Sequence, residues 1–461
     1  MAITTTVNLS NLEFRNRIDG ELYNPRLMES FFELKRSNLE LIPINSFCRI
    51  KSGTTPKDRD DTLKEGPVLF KTTDIRNNVL SPFDTFYHIS ESIHNRMTVT
   101  KLKPYDVLLN IVGATLDVIG RSSIIMDDFQ EANITQAMAF LRIRKKAFLP
   151  GYLFAFLNTK YAQNQIKRYA RPTGQFNLNL VEVGKLMIPQ LSFTHQQSIE
   201  NLIVDCAAYQ KQSHVLYRQA ETLLAQELQL DKMKLSNKKW YSANYCEVVE
   251  NGRCDGEYYQ PKYLQIETHI KSYKKGYSLI KDCFCENKCV SALSEDNYKY
   301  IEIGDVNISD GTYKYNTIAK MDLPVSARIE LAKGDLLIST VRPYRGAVSI
   351  VYDSFSDLIG SSAFTVVREK KGYRKEVLMV LLRLDSYKEL LMKWNVGTSY
   401  PVINNKDIMG LVIPMIPNEL QDKISSLVQQ AFSAKQKSKS LLAQAKHRVE
   451  ELIEQEANKY K

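Results

Sequence analysis

Arg17-Ile-Asp-Gly-Glu-Leu-Tyr-Asn-Pro25 returns as Arg253-Cys-Asp-Gly-Glu-Tyr-Tyr-Gln-Pro261, with Arg, Asp, Gly, Glu, Tyr and Pro kept at identical spacing. Self-similarity of this kind is the mark of a duplicated structural unit. Working outward, Leu69-Phe-Lys-Thr-Thr-Asp-Ile75 corresponds to Tyr300-Ile-Glu-Ile-Gly-Asp-Val306, and Asp106-Val-Leu-Leu109 to Asp335-Leu-Leu-Ile338. These are apolar runs punctuated by an aspartate, the pattern of strands ending in turns. Further on, Thr173 and Asn179 pair with Thr398 and Asn404, Ile188-Pro189 with Ile413-Pro414, and Gln196 and Ile199 with Gln421 and Ile424. The offset is 225 in all of these and 236 at the opening motif, so the copies differ in loop length while the framework is kept. Variable loops on a kept framework are where binding specificity is usually carried.

Each copy ends in a helix. Between Thr194 and Leu230 there is no Pro or Gly, and Ile199, Leu202, Cys206, Tyr209, Leu216, Ala220, Leu223 and Leu230 fall at three-and-four spacing, with Ser213 filling one position. The second copy places Ile424, Leu427, Ala431, Ala434, Ser438, Leu441, Ala445 and Leu452 in the same register. Pro189 and Pro414 stand just ahead, where they cannot break the helices. Such a stretch of roughly 37 residues spans about 55 Å, longer than packing on one domain requires. The register is that of a coiled coil whose core includes Ile199, Leu202, Leu216, Leu223, Ile424, Leu427, Leu441 and Leu452. An antiparallel pair would relate the modules by an approximate twofold; periodicity alone leaves a parallel pair open.

At 461 residues the chain exceeds one hydrophobic core, and its 44% hydrophobic and 25% charged residues are those of an ordinary globular protein. No window approaches eighteen uninterrupted apolar residues, and residues 1–11 do not read as a signal peptide, so a cytoplasmic protein without membrane partners is expected. Seven irregularly spaced cysteines fit a reducing compartment. Cys283, Cys285 and Cys289 cluster but lack paired spacing and a fourth ligand, so buried or inert thiols are expected rather than a metal site. The net charge of +10 points to a polyanionic partner and is shared: residues 1–230 hold 27 Lys+Arg against 23 Asp+Glu, residues 231–461 hold 35 against 29.

No phosphate-binding GxxxxGK[ST] loop, dinucleotide fingerprint, Asn-Pro-Pro-Tyr-like methyltransferase tetrapeptide or H-E-x-x-H pair is present. The six histidines are scattered, and the acidic run Asp58-Arg-Asp-Asp61 reads as a solvated loop. No catalytic residue is assigned. What recurs instead is a set of polar, basic and aromatic loops. Lys51-Ser-Gly-Thr-Thr-Pro-Lys57 offers cations, hydroxyls and backbone donors for phosphates. Lys71-Thr-Thr-Asp-Ile-Arg76 with Asn77 and Asn78 carries side chains able to read guanine and adenine edges. Arg168-Tyr-Ala-Arg-Pro-Thr-Gly-Gln175, Lys393-Trp-Asn-Val-Gly-Thr-Ser-Tyr400 and Arg342-Pro-Tyr-Arg345 combine cations with aromatics or glycine. Taken singly, each is ordinarily a solvated turn.

As a set, the R-x-D-G-E-x-Y-x-P opening, the Ser52-Gly-Thr-Thr-Pro56 segment, the loop ahead of an Asn-bearing turn, and Ile-Pro followed by Gln-x-x-Ile into a long helix resemble the DNA specificity subunit of type I restriction-modification systems. The resemblance spans both halves. It implies an α+β architecture: two mixed α/β target recognition domains in a pseudo-twofold repeat, at 1–189 and 237–414. Long spacer helices at 190–232 and 415–461 would join them as an antiparallel coiled coil. It implies a non-catalytic reader of double-stranded DNA, each domain reading one half of a bipartite target. Two modification subunits using S-adenosylmethionine, and restriction subunits, would be its partners, with no cofactor in this chain. A related system with a fused methyltransferase-nuclease is the near alternative; an enzyme with an unrecognised nuclease or methyltransferase site, or a protein-binding coiled-coil scaffold, are the distant ones. The second copy departs from the pattern by carrying Cys289-Val-Ser-Ala-Leu-Ser294 in place of the S-G-T-T-P segment, so an asymmetric target is expected. The residues expected on DNA are Lys51, Thr54, Lys71, Thr72, Arg76, Asn77, Arg171 and Gln175 in the first module. In the second they are Arg342, Tyr344, Arg345, Trp394, Ser399 and Tyr400.

Overall fold

The structure is a computed structural model that describes Gly20, 22–370, 372–396 and 400–459, with the backbone alone at Thr173. The chain divides into two compact units, 1–211 with 434–461 and 212–433, each of mixed helix and sheet.

The first unit opens with α1 (Pro25–Arg36), capped by the Asn24 side chain with Pro25 in the first turn, where the missing N–H costs nothing. Then come β1 (Leu41–Pro43), β2 (Cys48–Ser52), β3 (Val68–Phe70), β4 (Asn78–Val79), α2 (Glu91–Arg96), β5 (Val107–Asn110) and β6 (Val112–Gly113). The run continues with β7 (Ser122–Ile124), β8 (Ala132–Ile134), β9 (Met138–Ile143), α3 (Pro150–Leu157) and α4 (Lys160–Tyr169). It closes with β10 (Arg171–Thr173), β11 (Gln175–Asn177), α5 (Leu180–Gly184) and β12 (Met187–Pro189). The main sheet has the order β2-β9-β5-β7-β4, β3 pairs with β8 in parallel, and β1 pairs antiparallel with β12. Helix α3, PGYLFAFL, is apolar nearly all round and buried nearly all round, as such a helix must be.

Between the copies runs α6 (Phe193–Glu227). The second unit then holds α7 (Tyr245–Asn251), α8 (Pro261–Lys271), β13 (Tyr277–Leu279), α9 (Ile280–Cys283), β14 (Phe284–Glu286), β15 (Asn297–Ile301), β16 (Asn316–Ala319) and β17 (Ala327–Glu330). Next are β18 (Leu336–Ser339), β19 (Val348–Ile350), β20 (Leu358–Ser361), β21 (Phe364–Glu369), α10 (Lys375–Arg383), α11 (Asp385–Leu391), α12 (Asn405–Met409) and β22 (Val412–Pro414). The final helix is α13 (Asn418–Asn458). The sheet order β14-β21-β18-β19 repeats the first four strands of the first unit's main sheet; β15–β20 repeats the parallel pair, flanked here by the added strands β16 and β17.

The duplication extends to individual hydrogen bonds. Gln196 Oε1 accepts from Leu149 N at 3.0 Å while its Nε2 donates to Leu191 O and Ala147 O; 225 residues on, Gln421 Oε1 accepts from Arg374 N at 2.7 Å while its Nε2 donates to Ile416 O and Gly372 O. Asp106, fully buried, accepts from Arg142 Nε and Nη2 and from Lys103 N; Asp335 accepts from Arg368 Nε and Nη2 and from Ala332 N. The turn before each aspartate needs a positive φ, +66° at Tyr105 and +94° at Gly334. Asp74 and Asp305 each cap the turn after the first parallel strand by accepting from the N–H three residues back. The polar residues shared by the two sequences are thus turn and cap holders, buried or half-buried acceptors whose loss would leave main-chain donors unpaired.

The long helices lie partly in each unit, and within each unit their segments pair. In the first, Cys206 Sγ lies 3.3 Å from Ser438 Oγ, whose hydroxyl donates to Cys206 O at 2.9 Å. Ile199 and Ile203, before that contact, share a hydrophobic cluster with Leu441, Ala445, Val449, Leu452 and Ile453, after it, so the segments run antiparallel. In the second unit Tyr217, Ala220, Leu224 and Leu228 share a cluster with Ile424, Val428, Ala431 and Phe432. The expected register is partly displaced. Ile199, Cys206, Ser213 and Ala220 are buried, but the alternate positions are Ile203, Gln210, Tyr217 and Leu224, one residue beyond Leu202, Tyr209, Leu216 and Leu223. Leu202, Leu216 and Leu223 are half-buried at the flank, as is Leu427 beside buried Val428, whereas Ile424, Leu441 and Leu452 are core. The physical reason is that each helix faces both its partner and its own domain: Glu200 accepts from Gly151 N of α3, and Lys160 of α4 engages Glu450 and Glu454. Two contact directions widen the buried stripe beyond a two-strand seam.

Candidate nucleic-acid interface

In the first unit the loops at one end of the sheets converge. Gly53 and Thr54 donate to Met138 O and Ile134 O at 3.1 Å, and a Cβ on Gly53 would lie 1.9 Å from Ile134 O, so only glycine fits. Exposed Lys51 stands one residue before the end of β2, and exposed Thr54 follows that glycine. Thr135 N donates to Phe70 O, which joins this loop to the turn after β3, where Lys71, Thr72, Arg76 and Asn77 stand. Asn110, fully buried at the end of β5, donates through Nδ2 to Thr72 O at 3.0 Å. Ser122 N donates to Asn77 Oδ1 at 2.9 Å. The strand pair β10–β11 adds to β6 at Phe176↔Gly113, bringing exposed Arg171 and Gln175 to the same group of loops. The eight residues expected on DNA in this module therefore stand on connected segments, Lys51 in β2, Arg171 in β10, Gln175 in β11 and the other five in loops.

Their individual settings differ. Lys71 Nζ sits 3.6 Å from the centre of the Tyr87 ring, a cation–π contact that holds the ammonium in place. Tyr87 Oη donates to Asp61 Oδ1 at 2.5 Å. Burial, and then that hydrogen bond, push the phenol up to about 12, while the same bond is the largest cause holding the Asp61 carboxyl below its usual range. Arg76 is exposed with Nε donating to Thr73 O. Asn77 has φ +57° and its Oδ1 is engaged with the backbone of β7, so it holds the turn. The Arg171 guanidinium donates to Glu182 Oε1 through Nε at 3.1 Å and Nη2 at 2.5 Å.

In the second unit Arg342 has φ +50°, donates its N–H to Pro401 O at 2.7 Å, and places its guanidinium 4.5 Å from the Tyr400 ring centre. Tyr344 and Arg345, on the short turn that follows, and Tyr400 are exposed. Trp394 is half-buried against the domain core, beside Lys393, which is paired with Glu267 at 2.7 Å. Ser399 lies outside the described residues. The segment 289–294 forms a bridge from Val290 to Ile329 and turns at Leu293, φ +50°, so it follows a different path from its S-G-T-T-P counterpart. Sequence reasoning missed Tyr87 and Asn110 and read Asp61 as part of a solvated loop, since each acts on a partner more than ten residues away.

Among the described residues no three His, Cys, Asp or Glu side chains gather as metal ligands, and no helix is long and apolar enough to cross a membrane. Cys283 is buried and Cys285 and Cys289 are exposed.

No family model and no curated protein matches the chain. Solved structures do. The S subunit of a type I restriction-modification system from M. genitalium is 14% identical with TM-score 0.44, covering 91% of this chain and 96% of that one. A chain from a structure described as the basis of complex assembly and conformational transition of the type I R-M system is 12% identical with TM-score 0.28, covering 91% and 97%. The HsdS subunit from Thermoanaerobacter tengcongensis is 13% identical with TM-score 0.27, covering 90% and 96%.

Proposed function

We propose that this chain is the DNA sequence-recognition subunit of a type I restriction-modification complex. Each unit's loops would read one half of an asymmetric bipartite target on double-stranded DNA, with the long helices as the spacer between readers. The observation that carries the reading is the repeat itself: two frameworks alike down to single hydrogen bonds, under basic loops that differ. A duplicated scaffold with divergent polar loops suits two related readers of different sequences. The chain would be non-catalytic, recruiting two modification subunits that use S-adenosylmethionine, and restriction subunits, to the site it selects. Exposed Lys51 and Arg345, with the half-buried, ring-stacked Lys71, would supply phosphate attraction that falls steeply with salt, and base-edge contacts such as that of Arg76 the discrimination.

The test is reconstitution with a modification subunit of the same host, followed by mapping of methylated adenines across the host genome. A two-part motif with a fixed unread gap is expected. Methylation or cleavage of DNA by the purified chain alone, given metal or S-adenosylmethionine, would overturn the reading, as would a complex that binds all sequences equally.

A further inference from the structure

The loop that joins β5 to β7 ends at Gly120, φ +80°, and the loop that joins β18 to β19 ends at Gly346, φ +68°, at equivalent places in the two copies. In both, the glycine carbonyl is held by a side chain from the neighbouring helix pair. Gln163 Nε2 of α4 donates to Gly120 O at 2.9 Å and to Leu157 O at 2.7 Å. Arg383 Nη1, at the end of α10, donates to Gly346 O at 3.1 Å. Different residues from different positions thus meet the same acceptor.

Arg383 does more. Its Nη2 donates to Ile308 O at 3.0 Å, and its Nε to Tyr217 Oη of α6 at 2.6 Å. It is only 7% exposed, and its hydrogen bonds to Tyr217, Gly346 and Ile308 all go to neutral oxygens. Taking a guanidinium out of water is costly unless its donors are satisfied, so the loops are bound to it as firmly as it is to them. One loop follows β15 and is closed tightly by Asn307 N to Thr312 O and Gly311 N to Asn307 O. The other carries exposed Tyr344 and Arg345. In the first unit the residue at Arg383's place is Asn158; its Nδ2 donates to Ser122 Oγ, and Ser122 N in turn donates to Asn77. The two loops that follow the equivalent strands are thus joined to the helix pair in both units, by amides in one and by a guanidinium in the other.

We infer that Gln163 in the first unit and Arg383 in the second are positioning residues that set where the recognition loops stand, and hence determine specificity without touching DNA. The inference rests on the DNA-recognition reading above and deepens it. The test uses the full chain reconstituted with its modification subunit, in equilibrium competition against duplexes with single-base changes in either half-site. The wild-type complex must discriminate at both half-sites; if it discriminates at neither, the recognition reading itself has failed. Given a discriminating wild type, Arg383→Met is expected to lower discrimination about tenfold at one half-site and leave the other unchanged. Gln163→Leu is expected to do the mirror, and Arg383→Lys to recover part of the loss, since an ammonium can still reach a carbonyl. Unchanged discrimination in folded variants, or equal loss at both half-sites, overturns the inference. Should Arg383→Met fail to fold by thermal melting, Gln163→Leu, which removes only two neutral hydrogen bonds, decides the matter alone.

Discussion

Tyr87 is a small example of how a surface cation is made useful. A free lysine samples many rotamers, and fixing it on contact with a phosphate costs entropy; stacked on a ring whose hydroxyl is tied to Asp61, Lys71 has already lost that freedom. Lys71→Met is expected to weaken binding on all sequences and lower the slope of log affinity against log salt by about one. Tyr87→Leu, which keeps the charge, should give part of the weakening with the slope retained. Fluorescence anisotropy at several salt concentrations separates the two, and an unchanged slope in Lys71→Met would remove Lys71 from the phosphate contacts. Arg76→Ala should relax one position of one half-site; uniform weakening instead would make it a phosphate contact. The opening motif has its own electrostatics. Arg253 donates to both oxygens of Asp255 and to Asn395 O, and that bond is the largest cause holding Asp255 below its ordinary value of 3.8. A folded value below the unfolded one means a stabilising contribution present above pH 3.8 and lost as pH falls through the lowered value. Wild type and Asp255→Asn should therefore differ in urea stability at pH 6 and converge as the pH falls through the lowered value; a gap that persists in acid would contradict the assignment.

At the scale of elements, the helix register is the informative case. The heptad pattern places Leu202 in the core and passes over its neighbour Ile203, but only Ile203 is fully buried. Ile203→Ala is expected to cost about 2–5 kcal/mol and Leu202→Ala roughly half as much. Chemical denaturation of the two variants checks this, and a larger cost at Leu202 would restore the simpler two-stranded seam. Leucine-rich positions misled because they suggested helix-on-helix contact alone, whereas Gln196 and Glu200 show the same helix bonded to α3. Strands were legible where apolar runs met a capping aspartate, as at Asp106 and Asp335, since the motif contains both its acceptor and its donors. The short strands β10 and β11 were not, because the hairpin they form is anchored to the fold by the pairing of β11 with β6, far earlier in the chain.

For the whole molecule, the duplication predicts independence. Arg76 and Arg345 lie in separate compact units with no shared partner, so Arg76→Ala and Arg345→Ala should add in binding free energy to within about 0.5 kcal/mol. Competition binding of the double variant tests it, and strong non-additivity would mean the units do not read independently. Two copies, the long helices, the aspartates that punctuate the apolar runs and the loops worth suspecting were legible in the sequence alone, because each is written in local spacing or in repetition of it; the α+β class came with the family resemblance. The tertiary structure alone decided which face of each helix is core and which cations are held on rings. It also decided which helix side chains grip the loops, because those outcomes depend on partners brought together from distant parts of the chain. Gln163 and Arg383 share neither residue type nor alignment position, and only the fold shows that they hold equivalent carbonyls, those of Gly120 and Gly346.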